Sequence, residues 1–155
     1  MTDLAAAIDA AWERRAELGL DTGGEVRDAV ERALARLPGR KLVFTNGDKP
    51  YALKVLDRLG LGGSFEGVHD IHAMALAPKP AASAYQGLCQ RWGIDPARAL
   101  FADDMARNLR PAKALGMTTV WVDNGSEQAG EADRDYIDYH IPELTPWLEQ
   151  LLEQA

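Results

Sequence analysis

A chain of 155 residues, 46% hydrophobic and 26% charged, is long enough to bury a core and has the balance of one soluble globular domain. Its formal charge of −7 excludes a broad basic surface, so neither nucleic acid nor a membrane is expected as a partner. The lone Cys89 excludes an internal disulfide, no window approaches the roughly 20 apolar residues of a membrane span, and nothing at the amino terminus reads as a secretion signal; a cytoplasmic protein is expected.

From Thr2 to Leu18, apolar residues such as Leu4, Ile8, Ala11 and Trp12 recur at helical spacing, which predicts an amphipathic helix capped by Thr2 or Asp3. Asp21-Thr22-Gly23-Gly24 ends it, and a second helix is predicted from Glu25 to Leu37, with Val26, Val30 and Leu34 on one face and Pro38-Gly39 as its stop. The texture then changes. The apolar run from Lys41 to Thr45 predicts a buried strand, Asn46-Gly47-Asp48 a tight loop, and Pro50 to Leu59 a helix that stops at Gly60. Further strands are predicted at Gly67–Ile71, Ala99–Ala102, Thr118–Val122 and Tyr136–Ile141. Helices are predicted at Pro80–Trp92, Asn108–Leu115 and Thr145–Leu152. Strands alternating with helices imply an α/β fold with a parallel sheet covered on both faces. The polar stretch from Asp123 to Arg134 reads as a mobile loop.

In an open parallel sheet, ligands sit beyond the carboxyl ends of the strands, and three such ends carry chemistry here. Thr45-Asn46-Gly47 offers a hydroxyl and backbone amides to a phosphate oxygen, beside a glycine that lets the chain come close. Pro78-Lys79-Pro80 holds one cation between two stiffening prolines. Asp103-Asp104 follows a strand directly, with Asn108 a helical turn further on. Each has an ordinary alternative: a turn, a solvated lysine, a helix cap. Together, adjacent hard carboxylates, a rigidly placed ammonium and a hydroxyl–amide loop suit magnesium and a phosphoryl group.

Phe44-Thr45-Asn46-Gly47-Asp48, Pro78-Lys79-Pro80 and Phe101-Ala102-Asp103-Asp104-Met105-Ala106-Arg107-Asn108-Leu109, followed by Pro111 to Met117, resemble the second, third and fourth motifs of the haloacid dehalogenase (HAD) superfamily. Within it the pattern is most similar to the pyrimidine 5'-nucleotidase-like phosphatases. The resemblance runs from about Leu37 to the end, with 34 residues from Thr45 to Lys79 and 24 from Lys79 to Asp103. It implies a Rossmann-like core and a phosphomonoester hydrolase, in which an aspartate attacks phosphorus and water cleaves the aspartyl-phosphate, with Mg2+ neutralising charge. It further implies that Thr45 and Asn46 bind phosphate and that Lys79 bridges phosphate and nucleophile. Asp104 would be a direct metal ligand, and Asp103 would hold metal-bound water or serve as a second ligand. The implied partner is a small phosphorylated metabolite such as a nucleoside monophosphate.

The same resemblance requires an Asp-x-Asp at the end of a central first strand, between the strands ending at Thr45 and Ala102. No such motif precedes Thr45, and the helical cap that normally follows it is absent as well. The expectation is a core that is inactive alone. An active enzyme would need Asp21, the one upstream aspartate lying in a glycine-rich break, or a carboxylate supplied by a partner chain. The segment Ala6 to Leu18, with Val26 to Val30 and Ala33-Leu34, resembles the amino-terminal helices of tetrahydrodipicolinate N-succinyltransferase. That resemblance divides the chain into a helical segment, 1–36, and a partial hydrolase core, 37–155. A third reading is a noncatalytic interaction module in which Ile8, Ala11, Trp12 and Leu18 dock on a partner.

Loss of a central strand leaves buried N–H and C=O groups unpaired at about 1–3 kcal/mol each, against a total stability of only about 5–15 kcal/mol. Direct pairing of the two neighbouring strands, or a second copy of the chain in a homo-oligomer, is expected to fill the gap. His69, His72 and His140 lack ligand spacing and read as surface or loop groups; Trp92, Trp121 and Trp147 read as packing residues; Arg107 and Arg110 read as a solvated helix face; and Cys89 reads as a small buried apolar group.

Overall fold

The computed structural model describes residues 25–125 and 134–154. The helix predicted over 2–18, Asp21 and most of the loop predicted over 123–134 lie outside the described residues. The chain forms two compact units: described residues 25–69 and 145–154 belong to the first, and 70–144 to the second. The boundary expected at residue 36 falls within the first unit.

In the first unit, helix α1 (Glu25–Arg36) precedes strand β1 (Leu42–Phe44), helix α2 (Lys49–Arg58) and strand β2 (Gly67–His69). The two strands are parallel, with Val43 opposite Val68. Helix α2 starts where Asp48 Oδ1 accepts the Tyr51 amide at 2.7 Å, with Pro50 in the first turn, where no amide hydrogen is needed. It ends in a Schellman motif: Gly60, at φ 71°, donates to the Asp57 carbonyl, and Leu61 donates to that of Leu56. The reversal places Leu56 and Leu61 in one buried cluster with Val68, against which Val30, Leu34 and Val43 pack. Each such buried aliphatic side chain contributes on the order of 1.5–3 kcal/mol.

In the second unit, helix α3 (Ala82–Trp92) leads through a short 3-10 turn to strand β3 (Leu100–Asp103). A second 3-10 turn (Ala106–Asn108) runs into helix α4 (Leu109–Ala114), followed by strands β4 (Thr118–Val122) and β5 (Tyr139–Ile141). The sheet order is β3-β4-β5, all parallel, with Asp103 opposite Trp121 and Trp121 opposite His140. Because β4 is central, Thr119, Val120 and Trp121 are all buried. Ala106, Leu109, Trp121 and Tyr136 form the core, with Phe101 and Ile137 packed against them. A closing helix, α5 (Leu144–Gln154), belongs from Thr145 onward to the first unit.

The α/β class with parallel strands matches the expectation, and every predicted element within the described residues is present. The strands fall into two sheets, however, and direct pairing of β1 with β3 is not among the ladders of the described residues. β1 is one residue shorter than predicted at each end, and β2 and β5 are shortened by two and three residues for a shared reason. β2 stops at His69 because the Asp70 side chain accepts the Ala73 amide at 2.9 Å and its carbonyl that of Met74, which turns the chain. β5 begins only at Tyr139 because Thr119 is bonded to the Tyr136 carbonyl and the Asp138 carboxylate by its own side chain and amide. His69 also departs from its expected surface role: it is 0% exposed, edge-to-face with Phe44 at 5.5 Å, because its strand turns that side chain into the packing. No helix among the described residues is long and apolar enough to cross a membrane.

Candidate active site

β3 delivers Asp103 at its last position, and the segment before α3 delivers Lys79. Lys79 Nζ donates to Asp103 Oδ2 at 2.6 Å, with the two side chains only 8% and 7% exposed. The other carboxylate oxygen, Oδ1, accepts the Met105 amide and the Asn108 side-chain amide, each at 2.9 Å. Asp103 is thus bound at both oxygens by three donors. Lys79 also lies 5.4 Å from the centroid of the Phe101 ring, whose face attracts its charge.

A second layer fixes this arrangement. Tyr85, fully buried on α3, donates its hydroxyl to the Asn108 carbonyl at 2.6 Å and meets Phe101 edge-to-face at 5.8 Å. Burial, followed by the nearby negative charge of Asp103, pushes the Tyr85 phenol well above its ordinary pKa, so it remains a donor. Asp104, one residue beyond the buried pair, has an exposed side chain, while its backbone carbonyl accepts Trp121 Nε1–H at 3.0 Å. The Trp121 indole packs against the Arg134 guanidinium, 4.0 Å from its centroid, and the stacked His140 ring at 4.3 Å. His140 in turn bonds Asp123 at 3.0 Å, and that contact, first among several, holds the Asp123 carboxyl below its ordinary range.

Of the five residues singled out from the sequence, the structure brings Lys79 and Asp103 into direct contact and places Asp104 next to them along the chain. Thr45 and Asn46 belong to the first unit. There, the Thr45 amide continues the ladder to the His69 carbonyl at 3.0 Å, and its hydroxyl oxygen accepts the Gly47 amide at 3.0 Å. That bond leaves the hydroxyl hydrogen able to donate to an oxyanion. Asn108 is marked in the sequence by its place after the acidic pair, whereas Trp121 reads as packing and Tyr85 carries no signal at all.

The donors next to Asp103 can be weighed against the Mg2+ that the fold family implies. Asp103 already accepts three donors, which leaves about one of its four lone-pair positions for a metal ion. Asp104 is an exposed carboxylate, and Asn108 Oδ1 is a buried carbonyl oxygen with no hydrogen-bond partner. These are hard oxygen donors, and Mg2+ characteristically takes one or two carboxylates and completes its shell with water and phosphate oxygens. The donor set therefore fits Mg2+ as part of a shell. It does not fit a metal held by protein alone, since no three His, Cys, Asp or Glu side chains gather into a metal-binding group among the described residues.

The sequence pattern of the haloacid dehalogenase-like hydrolases matches residues 2–116 of the chain. Among solved structures, an L-2-haloacid dehalogenase from Xanthobacter autotrophicus with chloropropionic acid covalently bound is 20% identical, with a TM-score of 0.69 over 83% of this chain and 61% of its own. A HAD phosphatase from Thermococcus onnurineus is 23% identical, with a TM-score of 0.63 over 85% of this chain and 66% of its own. A dehalogenase with an intermediate complex is 19% identical, with a TM-score of 0.66 over 81% of this chain and 54% of its own. Identities this low establish the fold, and the chain spans 54% to 66% of the length of these three proteins. No curated protein matches the chain. The family match begins at residue 2 and so takes in residues 2–36; the resemblance of residues 1–36 to the succinyltransferase gains no support from these matches.

Proposed function

The chain belongs to the haloacid dehalogenase-like hydrolase family, and on that premise we propose that it carries the metal and phosphate pole of a phosphomonoester hydrolase without the attacking carboxylate. The observation that carries this reading is the buried Lys79–Asp103 pair beside an exposed Asp104. Lys79 and Asp103 cancel, and Asp104 adds one negative charge. A phosphate dianion would be repelled from such a site unless a divalent cation accompanied it. An anion-binding role therefore makes sense only together with the Mg2+ that Asp104, with the side-chain oxygen Oδ1 of Asn108, is suited to hold. When bound, Mg2+ would neutralise charge on the phosphoryl oxygens. Asp103 fixes the Lys79 ammonium, and the Met105 and Asn108 amides fix Asp103. Within the first unit, the Thr45 hydroxyl and the Asn46 backbone are proposed separately as phosphate donors.

No Asp-x-Asp precedes Thr45 in the sequence, so the chain alone is proposed to bind but not to turn over a small phosphorylated metabolite, with a pyrimidine nucleoside monophosphate as the candidate substrate of the whole machinery. A carboxylate from Asp21 or from a partner chain would restore turnover. Calorimetric titration of inorganic phosphate tests the binding reading. Heat of binding only in the presence of Mg2+, lost in Asp104→Asn, is expected. Equal binding with and without Mg2+ would refute the charge reasoning. Metal-independent binding of a 2-haloacid would move the assignment toward the dehalogenases of the same family.

A further inference from the structure

Trp121 looks like a core residue, being 2% exposed on the central strand of its sheet. Its polar handle nevertheless points at one particular atom, the carbonyl oxygen of Asp104, with the indole N–H donating at 3.0 Å. The ring is clamped by Arg134 at 4.0 Å and by the stacked His140 ring at 4.3 Å, and His140 is itself tied to Asp123 at 3.0 Å. An indole so held has little freedom to tilt, so its N–H is a fixed reference for the peptide after Asp104. The N–H of that same peptide, the Met105 amide, donates to the Asp103 carboxylate at 2.9 Å. The backbone around Asp104 is therefore pinned by two hydrogen bonds, one local and one from a neighbouring strand, while the Asp104 side chain stays exposed.

We propose that Trp121 is a positioning residue for Asp104, its clamped indole N–H fixing the direction in which that carboxylate is presented to a divalent cation. The inference rests on the reading of Asp104 as the metal pole. Packing alone requires an aromatic ring at this position but no N–H, which is what separates the two roles: Trp121→Phe keeps the ring against Arg134 and His140 and removes only the donor.

The test is the Mg2+ dissociation constant of the full chain, measured by calorimetry at a temperature where each variant is folded by circular dichroism. Losing one neutral hydrogen bond that orients a ligand should raise the constant about threefold to tenfold in Trp121→Phe. His140→Ala, which removes one contact of the clamp from an exposed position, should raise it by a smaller factor, about twofold. Thr119→Val serves as the structural control: it removes the hydrogen bond to the Tyr136 carbonyl on the same strand without touching Asp104. It should lower the thermal midpoint and leave the Mg2+ constant unchanged. Asp104→Asn should abolish binding. Unchanged affinity in both Trp121→Phe and His140→Ala, with binding lost in Asp104→Asn, overturns the positioning role alone. Unchanged affinity in Asp104→Asn overturns the metal reading beneath it.

Discussion

Replacing Lys79 with methionine removes the charge while keeping most of the stem, and burial of its partner determines the cost. The Asp103 carboxylate would stay 7% exposed with its cation gone. Breaking a buried pair in this way costs about 3–5 kcal/mol. Asp103 keeps the Met105 and Asn108 amide donors at 2.9 Å, which places the expected loss at the lower end. The expectation is therefore about 3 kcal/mol for Lys79→Met, or a fall in thermal midpoint of about 6–12 °C at 2–4 °C per kcal/mol for a chain of this size. In the double variant Lys79→Met, Asp103→Asn no charge is left buried, so it should be more stable than Lys79→Met alone, with a coupling of about 2 kcal/mol or more. Urea and thermal unfolding monitored by circular dichroism give all four corners of the cycle. If Lys79→Met costs less than about 0.5 kcal/mol, or if the two substitutions simply add, the pair is not the buried, mutually dependent unit described.

Neighbouring contacts lead to three further outcomes. Tyr85→Phe deletes the buried hydroxyl that bonds the Asn108 carbonyl at 2.6 Å and should lower stability by about 1–1.5 kcal/mol in urea unfolding. Asp104→Asn alters an exposed side chain and should stay within about 0.5 kcal/mol of the parent, so any loss of Mg2+ or phosphate binding in that variant reads as function and not as unfolding. The Asp138 carboxyl is held below its ordinary pKa, first by Lys113 at 2.5 Å and then by the Thr119 amide. A depressed folded pKa means stability that is fully present above the unfolded value of about 3.9 and lost as pH falls through the folded one. Asp138→Asn should therefore flatten the acid limb of the thermal midpoint measured from neutral pH to about pH 3; an unchanged limb would remove Asp138 from the acid response.

The features legible in the sequence are mostly local. Asp48, Pro50 and Gly60 mark both ends of α2 because capping chemistry acts within a few residues. The run Thr118 to Val122 reads as a strand and is one over its full length, buried from Thr119 to Trp121. The strand ends at His69 and Tyr139 differ from expectation because side chains set them, and in the second case the acceptor and donor lie 19 residues apart. At the site, Lys79 and Asp103 both stand out in the sequence, yet no spacing rule says that residues 24 apart will pair with each other. That pairing makes Asp103 an anchor of the lysine. Trp121 is half legible: its apolar body announces the core, whereas the N–H reaching Asp104 across 17 residues depends on the register of β3 against β4. Asn108 stands out in the sequence by its place after the acidic pair, but its bond to Asp103 and the burial of its unpartnered oxygen are legible only in the structure.

Mg2+-dependent hydrolysis of a chromogenic phosphomonoester, by the purified chain and by Asp104→Asn prepared in parallel, decides whether the chain lacks its nucleophile. A metal and phosphate pole alone predicts the same background rate for both, whereas turnover in the parent that vanishes in Asp104→Asn would mean that an attacking carboxylate is present after all.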